Sequence, residues 1–173
     1  MTTSTSSGAG AAPAVRTCLW FDGRIEEAAD FYVGLLPGSR VTDVSRSAAD
    51  SPFPGAEAGE ALTVDLELAG VPYQLLNGGP QFPQSEAVSI SVTVDGQTET
   101  DRLWHALVAD GGEESQCGWC RDRFGVSWQI VPREVLEMMA GPQAKAAAEA
   151  MFRMRRLDIA EMRAACEAAA GGE

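Results

Sequence analysis

The sequence predicts an α+β protein: two βαβββ modules forming a cupped mixed sheet, with a helical C-terminal extension. Three observations predict it. Gly70-Val71-Pro72-Tyr73-Gln74-Leu75-Leu76 is echoed by Gly125-Val126-Ser127-Trp128-Gln129-Ile130-Val131. Phe21-Asp22-Gly23 and Val94-Asp95-Gly96 each stand just before a helical run. Between these landmarks strand-like and helix-like stretches follow one another in the same order twice. Duplicated units of this kind pack side by side, each burying what the other exposes. Residues at equivalent repeat positions then converge, which sets Gln74 and Gln129 across from each other in the one place such a fold has for a ligand.

The elements follow in order. Thr17 to Phe21 is a short apolar and aromatic strand. Asp22 is the expected N-cap of the next helix, with Glu26 and Glu27 in the first turns where the helix dipole favours acid. Ile25, Ala28, Ala29, Tyr32 and Leu35/Leu36 recur at helical spacing, and Pro37-Gly38 stops the run. Arg40 to Ser45 is a second strand. Residues 48–60 hold Pro52, Pro54, Gly55 and Gly59 without periodicity and read as a loop. Leu62, Val64, Leu66 and Leu68 alternate with Thr63, Asp65 and Glu67, so one strand face is apolar and the other polar. Val71 to Leu76 follows, ended by Asn77-Gly78-Gly79-Pro80. The second unit repeats the order: an alternating strand over Val88 to Val94, and a helix over Thr98 to Asp110 with a Thr98…Asp101 start resembling a capping box. One or two strands come next within Glu114 to Cys120, then a turn at Arg121 to Gly125 and a last strand over Val126 to Val131. Residues 134–170 are helical, broken at Gly141-Pro142 and restarted at an Asp158…Glu161 capping pair, and are expected to pack outside the sheet or on a second subunit. The organisation is thus a disordered Ser/Thr/Gly/Ala-rich tail over 1–14, a domain over 15–133 with modules 15–80 and 86–133, and C-terminal helices over 134–173.

Composition bounds the function. A net charge of −12 argues against nucleic acid or an anionic membrane as partner, since both call for a basic surface. No apolar stretch is long enough to span a bilayer, and the N-terminal segment has none of the parts of an export signal. The four cysteines do not form a disulfide framework pattern, which favours a reducing, cytoplasmic setting. Cys117-Gly-Trp-Cys120 has the spelling of a redox or zinc motif. On an extended strand, however, residues three apart face opposite ways, and no helix start or second ligand pair follows.

Trp20-Phe21-Asp22-Gly23, Glu26 to Tyr32, Leu76 to Pro80, Gln116 to Trp119 and Phe124 to Pro132 together resemble the PhnB-like branch of the vicinal oxygen chelate superfamily, the glyoxalase, bleomycin-resistance and extradiol dioxygenase fold. The likeness runs from about Cys18 to Ile159. It implies a cavity that, in metal-using relatives, holds a divalent ion on His and Glu from four strands. Carried onto this chain, those positions fall at Thr17 (or Cys18, if the register slips by one), Gln74, Ser89 and Gln129. None is His or carboxylate, and a divalent ion needs imidazole, thiolate or carboxylate donors. The single histidine, His105, falls on the second helix. The expectation is therefore no metal and no cofactor. The branch often bears a demethylubiquinone methyltransferase name, but an S-adenosylmethionine enzyme normally needs a glycine-rich turn in a doubly wound parallel sheet, and no such unit is present.

The expected ligand pocket comprises Thr17, Gln74, Ser89, Gln129 and Trp119, with Trp119 stacking on a planar ligand while Trp20 and Trp128 serve the core. Asp65 and Glu67 share a face and are expected at the surface; buried beside Gln74, either would become a candidate acid or base. Arg153, Arg155, Arg156 and Arg163 form a basic streak expected on a solvated or intersubunit face. Three functions fit: a metal-independent binding protein for an antibiotic or metabolite; a metal-free isomerase, cyclase or lyase using Asp65, Glu67 or Cys18; or a structural or regulatory dimer. The expected partners are a small-molecule ligand and a second copy of the chain.

Overall fold

In the computed structural model, residues 15–48 and 55–172 are described. The N-terminal tail and the 49–54 part of the predicted loop lie outside them. In the first module β1 (Thr17–Phe21) runs parallel to β4 (Val71–Asn77), which pairs antiparallel with β3 (Ala61–Leu68), which in turn pairs with β2 (Arg40–Arg46). The second module repeats the pattern: β5 (Ser89–Val94) is parallel to β8 (Ser127–Pro132), followed by β7 (Trp119–Arg121) and the short β6 (Glu113–Glu114). The orders β1-β4-β3-β2 and β5-β8-β7-β6 are the same order twice. The βαβββ duplication read from the sequence is therefore present, as two four-stranded mixed sheets.

Period-two patterning decides which sheet face is buried. Leu19, Leu75 and Val64 lie abreast across β1, β4 and β3, and all are buried. Against them packs α1 (Ile25–Leu35) through Ile25, Ala28, Ala29, Tyr32 and Leu35. In the second module Ile90, Trp128 and Cys120 lie abreast and buried. Leu103, Trp104 and Leu107 of α2 (Gly96–Val108) join them in one core common to both modules.

Both expected helix starts need correction. The N-cap of α1 is Arg24, in a left-handed conformation, not Asp22, and no side chain caps that end. Asn77 ties the entry down instead: its Oδ1 accepts the Gly23 N–H at 3.0 Å, while the Gly78 and Gly79 amides donate to the Phe21 carbonyl. The quoted Phe-Asp-Gly and Asn-Gly-Gly motifs are thus two sides of one junction. In the second module α2 begins at Gly96, so Thr98 lies inside the helix rather than at its cap.

The C-terminal region forms α3 (Arg133–Ala140), α4 (Ala144–Met151) and α5 (Ile159–Ala170). Asp158 caps α5 as its spacing predicts, accepting the Glu161 N–H at 2.9 Å. These helices have their own small core around Val135, Ala147, Ala150, Leu157 and Met162. They are fastened to the second module. Cys117 and Gly118 amides donate to the Met154 and Arg155 carbonyls, and the Gln97 side chain bonds both the Leu157 carbonyl and the Ile159 N–H. Gly118 (φ +83°) permits the approach: a Cβ there would stand about 3.0 Å from Leu157 Cδ1. Half of the basic streak serves this docking, because Arg155 pairs with Glu114 and Arg156 with Asp101.

Candidate functional site

Each sheet has a second face, turned away from α1 or α2, and this face carries the polar residues. In the first module Cys18, Gln74 and Asp65 lie abreast there. The register assigns Cys18 to this face; Thr17 is aligned with Tyr73, one residue out of phase, and faces the other way. Gln74 Nε2 donates to Asp65 Oδ1 at 2.8 Å, and Arg16 pairs with the second oxygen of Asp65. Asp65 does lie beside Gln74, with its side chain 21% exposed, but both its oxygens are engaged. Glu67 is held by Arg40 at 2.7 Å. The Cys18 thiol sits above its ordinary pKa, chiefly from partial desolvation, with nearby Arg16 opposing and Asp65 adding. It is a protonated thiol at neutral pH.

In the second module the equivalent face carries Ser91, Gln129 and Trp119 abreast. Ser89 lies two residues along the same strand face, and its Oγ accepts from Gln129 Nε2 at 2.8 Å. A cavity of about 680 Å³ opens here, lined by Trp119, Gln129 and Val131 on the sheet side and by Leu136, Met139 and Phe152 on the helix side. The C-terminal helices therefore cover the polar face of the second sheet. Gln74, Thr17 and Ser89 do not line this cavity. The two amides thus serve different surroundings instead of converging on one hollow: Gln74 is braced by a carboxylate, and Gln129 is set in the wall of an open, largely apolar cavity.

The two cysteines of Cys-Gly-Trp-Cys diverge. Cys117 (φ +58°) turns into the cavity lining, whereas Cys120 is buried in the core with its thiol pushed up to about 12 by desolvation, Asp122 and Glu114 adding. All four cysteines are free. Trp128 is buried in the core, and Trp20 lies partly buried with its Nε1 donating to the Gly79 carbonyl. His105 is exposed on α2.

The residues at the positions where the resemblance would place a metal ion suit one poorly. Cys18, Gln74, Ser89 and Gln129 offer a protonated thiol, a hydroxyl and two amides already engaged in hydrogen bonds. Among the described residues no three His, Cys, Asp or Glu side chains stand close enough to hold a metal ion. That donor set leaves a dication uncompensated.

One polar residue escaped the sequence reading. Asp122, assigned only to a turn, is 2% exposed and accepts four hydrogen bonds: from Tyr32 Oη and Trp128 Nε1 at 2.8 Å each, and from the Phe124 and Val126 amides. It joins α1 of the first module to β8 of the second. Burial raises its pKa, and the four donors oppose that rise. The Asp-Arg-Phe-Gly spelling, an Asp whose carboxylate meets amides two and four residues on, is the local signal that could have found it.

With this geometry in view, the comparisons with known proteins are direct. The 3-demethylubiquinone-9 3-methyltransferase family model matches residues 13–131. The chain belongs to that PhnB-like family of the vicinal oxygen chelate superfamily. The PhnB protein of Bacillus cereus, which bears the same methyltransferase name, is 30% identical with a TM-score of 0.61; the match covers 69% of this chain and 99% of that one. A Pseudomonas aeruginosa protein is 26% identical with a TM-score of 0.56, over 70% of this chain and 98% of that one. The fosfomycin resistance protein FosX of Mesorhizobium loti shares the fold at 10% identity and a TM-score of 0.52, covering 75% and 98% of the two chains. No curated protein matches. The family match ends at Val131, before α3 begins, so the helical side of the cavity lies outside it.

Proposed function

We propose that this protein binds a small organic molecule without a metal ion, and that the ligand occupies the cavity between the second sheet and the C-terminal helices. The observation that carries the reading is that cavity: about 680 Å³, within the roughly 300–1,000 Å³ typical of small-molecule sites. Its walls are mostly apolar. An aromatic plane, Trp119, suits stacking, and of the two lining glutamines, Gln116 and Gln129, the strand-borne Gln129 suits a ligand carbonyl or hydroxyl. Family membership supports a ligand-binding or resistance-like role, since FosX shares the fold. Of the five residues expected from sequence, Trp119 and Gln129 form the wall in this reading, Ser89 orients Gln129 from the neighbouring strand, and Gln74 and Thr17 stand outside.

The reading ranks above a metal-free enzyme because the candidate acids Asp65 and Glu67 are ion-paired and Cys18 is protonated, all on the other module. It ranks above a methyltransferase because neither sheet is a doubly wound parallel one. Among the described residues no helix is long and apolar enough to cross a membrane. A cytoplasmic homodimer is the setting we infer, favoured by the free cysteines and by apolar side chains outside the cavity, such as Val71 and Val88, left exposed.

Native mass spectrometry and metal analysis of the purified chain test the proposal. The expected result is a small organic ligand carried through purification with no stoichiometric metal. Gln129→Leu should weaken its retention about fivefold, the value of one hydrogen bond, and Gln74→Leu should leave it unchanged. One zinc, iron, nickel or manganese ion per chain would overturn it.

A further inference from the structure

The cavity's chemistry narrows its ligand. Aromatic and thioether surface comes from Trp119, Phe152, Met139 and Met151. The charged lining is a single carboxylate, Glu86, exposed at the mouth and without an ion pair among the described residues. No Lys, Arg or His lines the space. Of the three arginines in the adjoining segment, Arg155 and Arg156 are paired with Glu114 and Asp101, while Arg153 is exposed without an ion pair among the described residues and does not line the space.

Resting on the binding reading above, we propose that the C-terminal helices turn the second sheet's polar face into a receptor for apolar organic cations, such as aromatic amines and quaternary ammonium compounds. Three physical terms select this class. The indole face attracts a cation through its quadrupole, and Trp does so best among the aromatic residues. Polarizable methionine side chains adapt to a bulky apolar body. An unpaired carboxylate at the entrance, on a chain of net charge −12, favours a cation and disfavours an anion during approach and binding. An anionic ligand would find no donor of positive charge in the lining. A neutral ligand would keep the apolar contacts alone.

Five of the six helix-side lining residues, Val135, Leu136, Met139, Met151 and Phe152, come from α3, α4 and the residue after α4, and all six lie beyond the stretch that matches the family. The apolar wall that would hold the ligand's body therefore comes from the extension, while Trp119 and Glu86, which would select its charge, lie within the family-matched stretch.

Calorimetric titration of the full chain at neutral pH with three matched probes is the test: 1-naphthylmethylamine as the ammonium ion, 1-naphthalenemethanol and 1-naphthoate. The ammonium should bind roughly five- to tenfold more tightly than the alcohol, from one cation–π contact and one exposed charge pair, with the carboxylate weakest. Glu86→Gln should reduce that preference while leaving the alcohol's affinity unchanged, and Trp119→Leu should weaken all three. Trp119-dependent binding of the alcohol with no preference for the ammonium, or naphthoate binding as tightly as the ammonium, overturns the cation assignment and leaves the binding site standing. Trp119-independent binding, or no binding of any probe, overturns both.

Discussion

The two modules start from the same pattern and end with different surfaces. Gln74 and Gln129 occupy equivalent strands, each on the face turned away from its helix. Around Gln74 the chain supplies Asp65 and Arg16, a partly exposed ion pair. Around Gln129 it supplies Ser89, Trp119 and a helical wall from α3, α4 and the segment after α4. Duplication sets the strand, register and side-chain direction. It does not set what packs on top. The C-terminal helices cover only one module, and this asymmetry makes a cavity of one half and a solvated surface of the other.

Breaking the helical wall is the sharpest way to test the difference. Met162 is fully buried in the small core of the helices. Met162→Ala should lower stability by about 3 kcal/mol and should abolish ligand retention at the second module. Chemical denaturation followed by both Trp fluorescence and ligand release measures it. Unchanged retention in a destabilised variant would mean that the helical wall is not part of the site.

The tie between the modules gives the next effect. Asp122→Asn replaces two acceptor oxygens by one acceptor and one donor group, so at least one of the donors Tyr32, Trp128, Phe124 and Val126 loses its partner. A loss of about 2 kcal/mol follows. The pH dependence has a definite sign. Burial raises the folded-state pKa of Asp122, so the folded chain holds this proton more tightly than the unfolded chain does. Its contribution to stability is complete below the ordinary carboxylate value of about 3.9 and is lost as pH rises through the higher folded-state value. The stability gap between wild type and Asp122→Asn should therefore narrow as pH rises through that window; a widening gap would contradict the burial argument.

The smallest effect belongs to the open module. Asp65→Asn removes the partner of a half-exposed Arg16 and should cost less than about 1 kcal/mol, with ligand retention unchanged. A large loss of retention would move the site to the first module and undo the contrast between the halves.

Much of the fold was legible in the residues because period and turn chemistry are local. Alternation over Leu62 to Leu68, the helical spacing of Ile25 to Leu35, and the Asp158–Glu161 cap need only nearest neighbours in the chain. Errors fell where a distant residue decided a local detail. Asp22 has the chemistry of a cap, yet Asn77, far along the chain, holds the junction and helix α1 starts two residues later than Asp22 would require. Thr17 against Cys18 was a one-residue question of register, which only the pairing with β4 answers. Ser89 lies on the expected face, but its ladder partner is Ser127 and it reaches Gln129 by its side chain.

The amino-acid sequence by itself determined the duplicated strand–helix order, the uncharged residue types at Gln74, Ser89 and Gln129, and the acidic balance of the chain. All three are properties of residue type and spacing, and they hold whatever the halves do in space. Tertiary structure alone decided that α3 and α4 face Trp119 and Gln129 across one cavity, and that Asp122 links Tyr32 to Trp128 across the modules. An apolar helix face carries no address: it is satisfied by any apolar surface of the right shape. Which surface it covers depends on contacts summed over the whole molecule, here the amides of Cys117 and Gly118, the side chain of Gln97 and the ion pairs of Arg155 and Arg156.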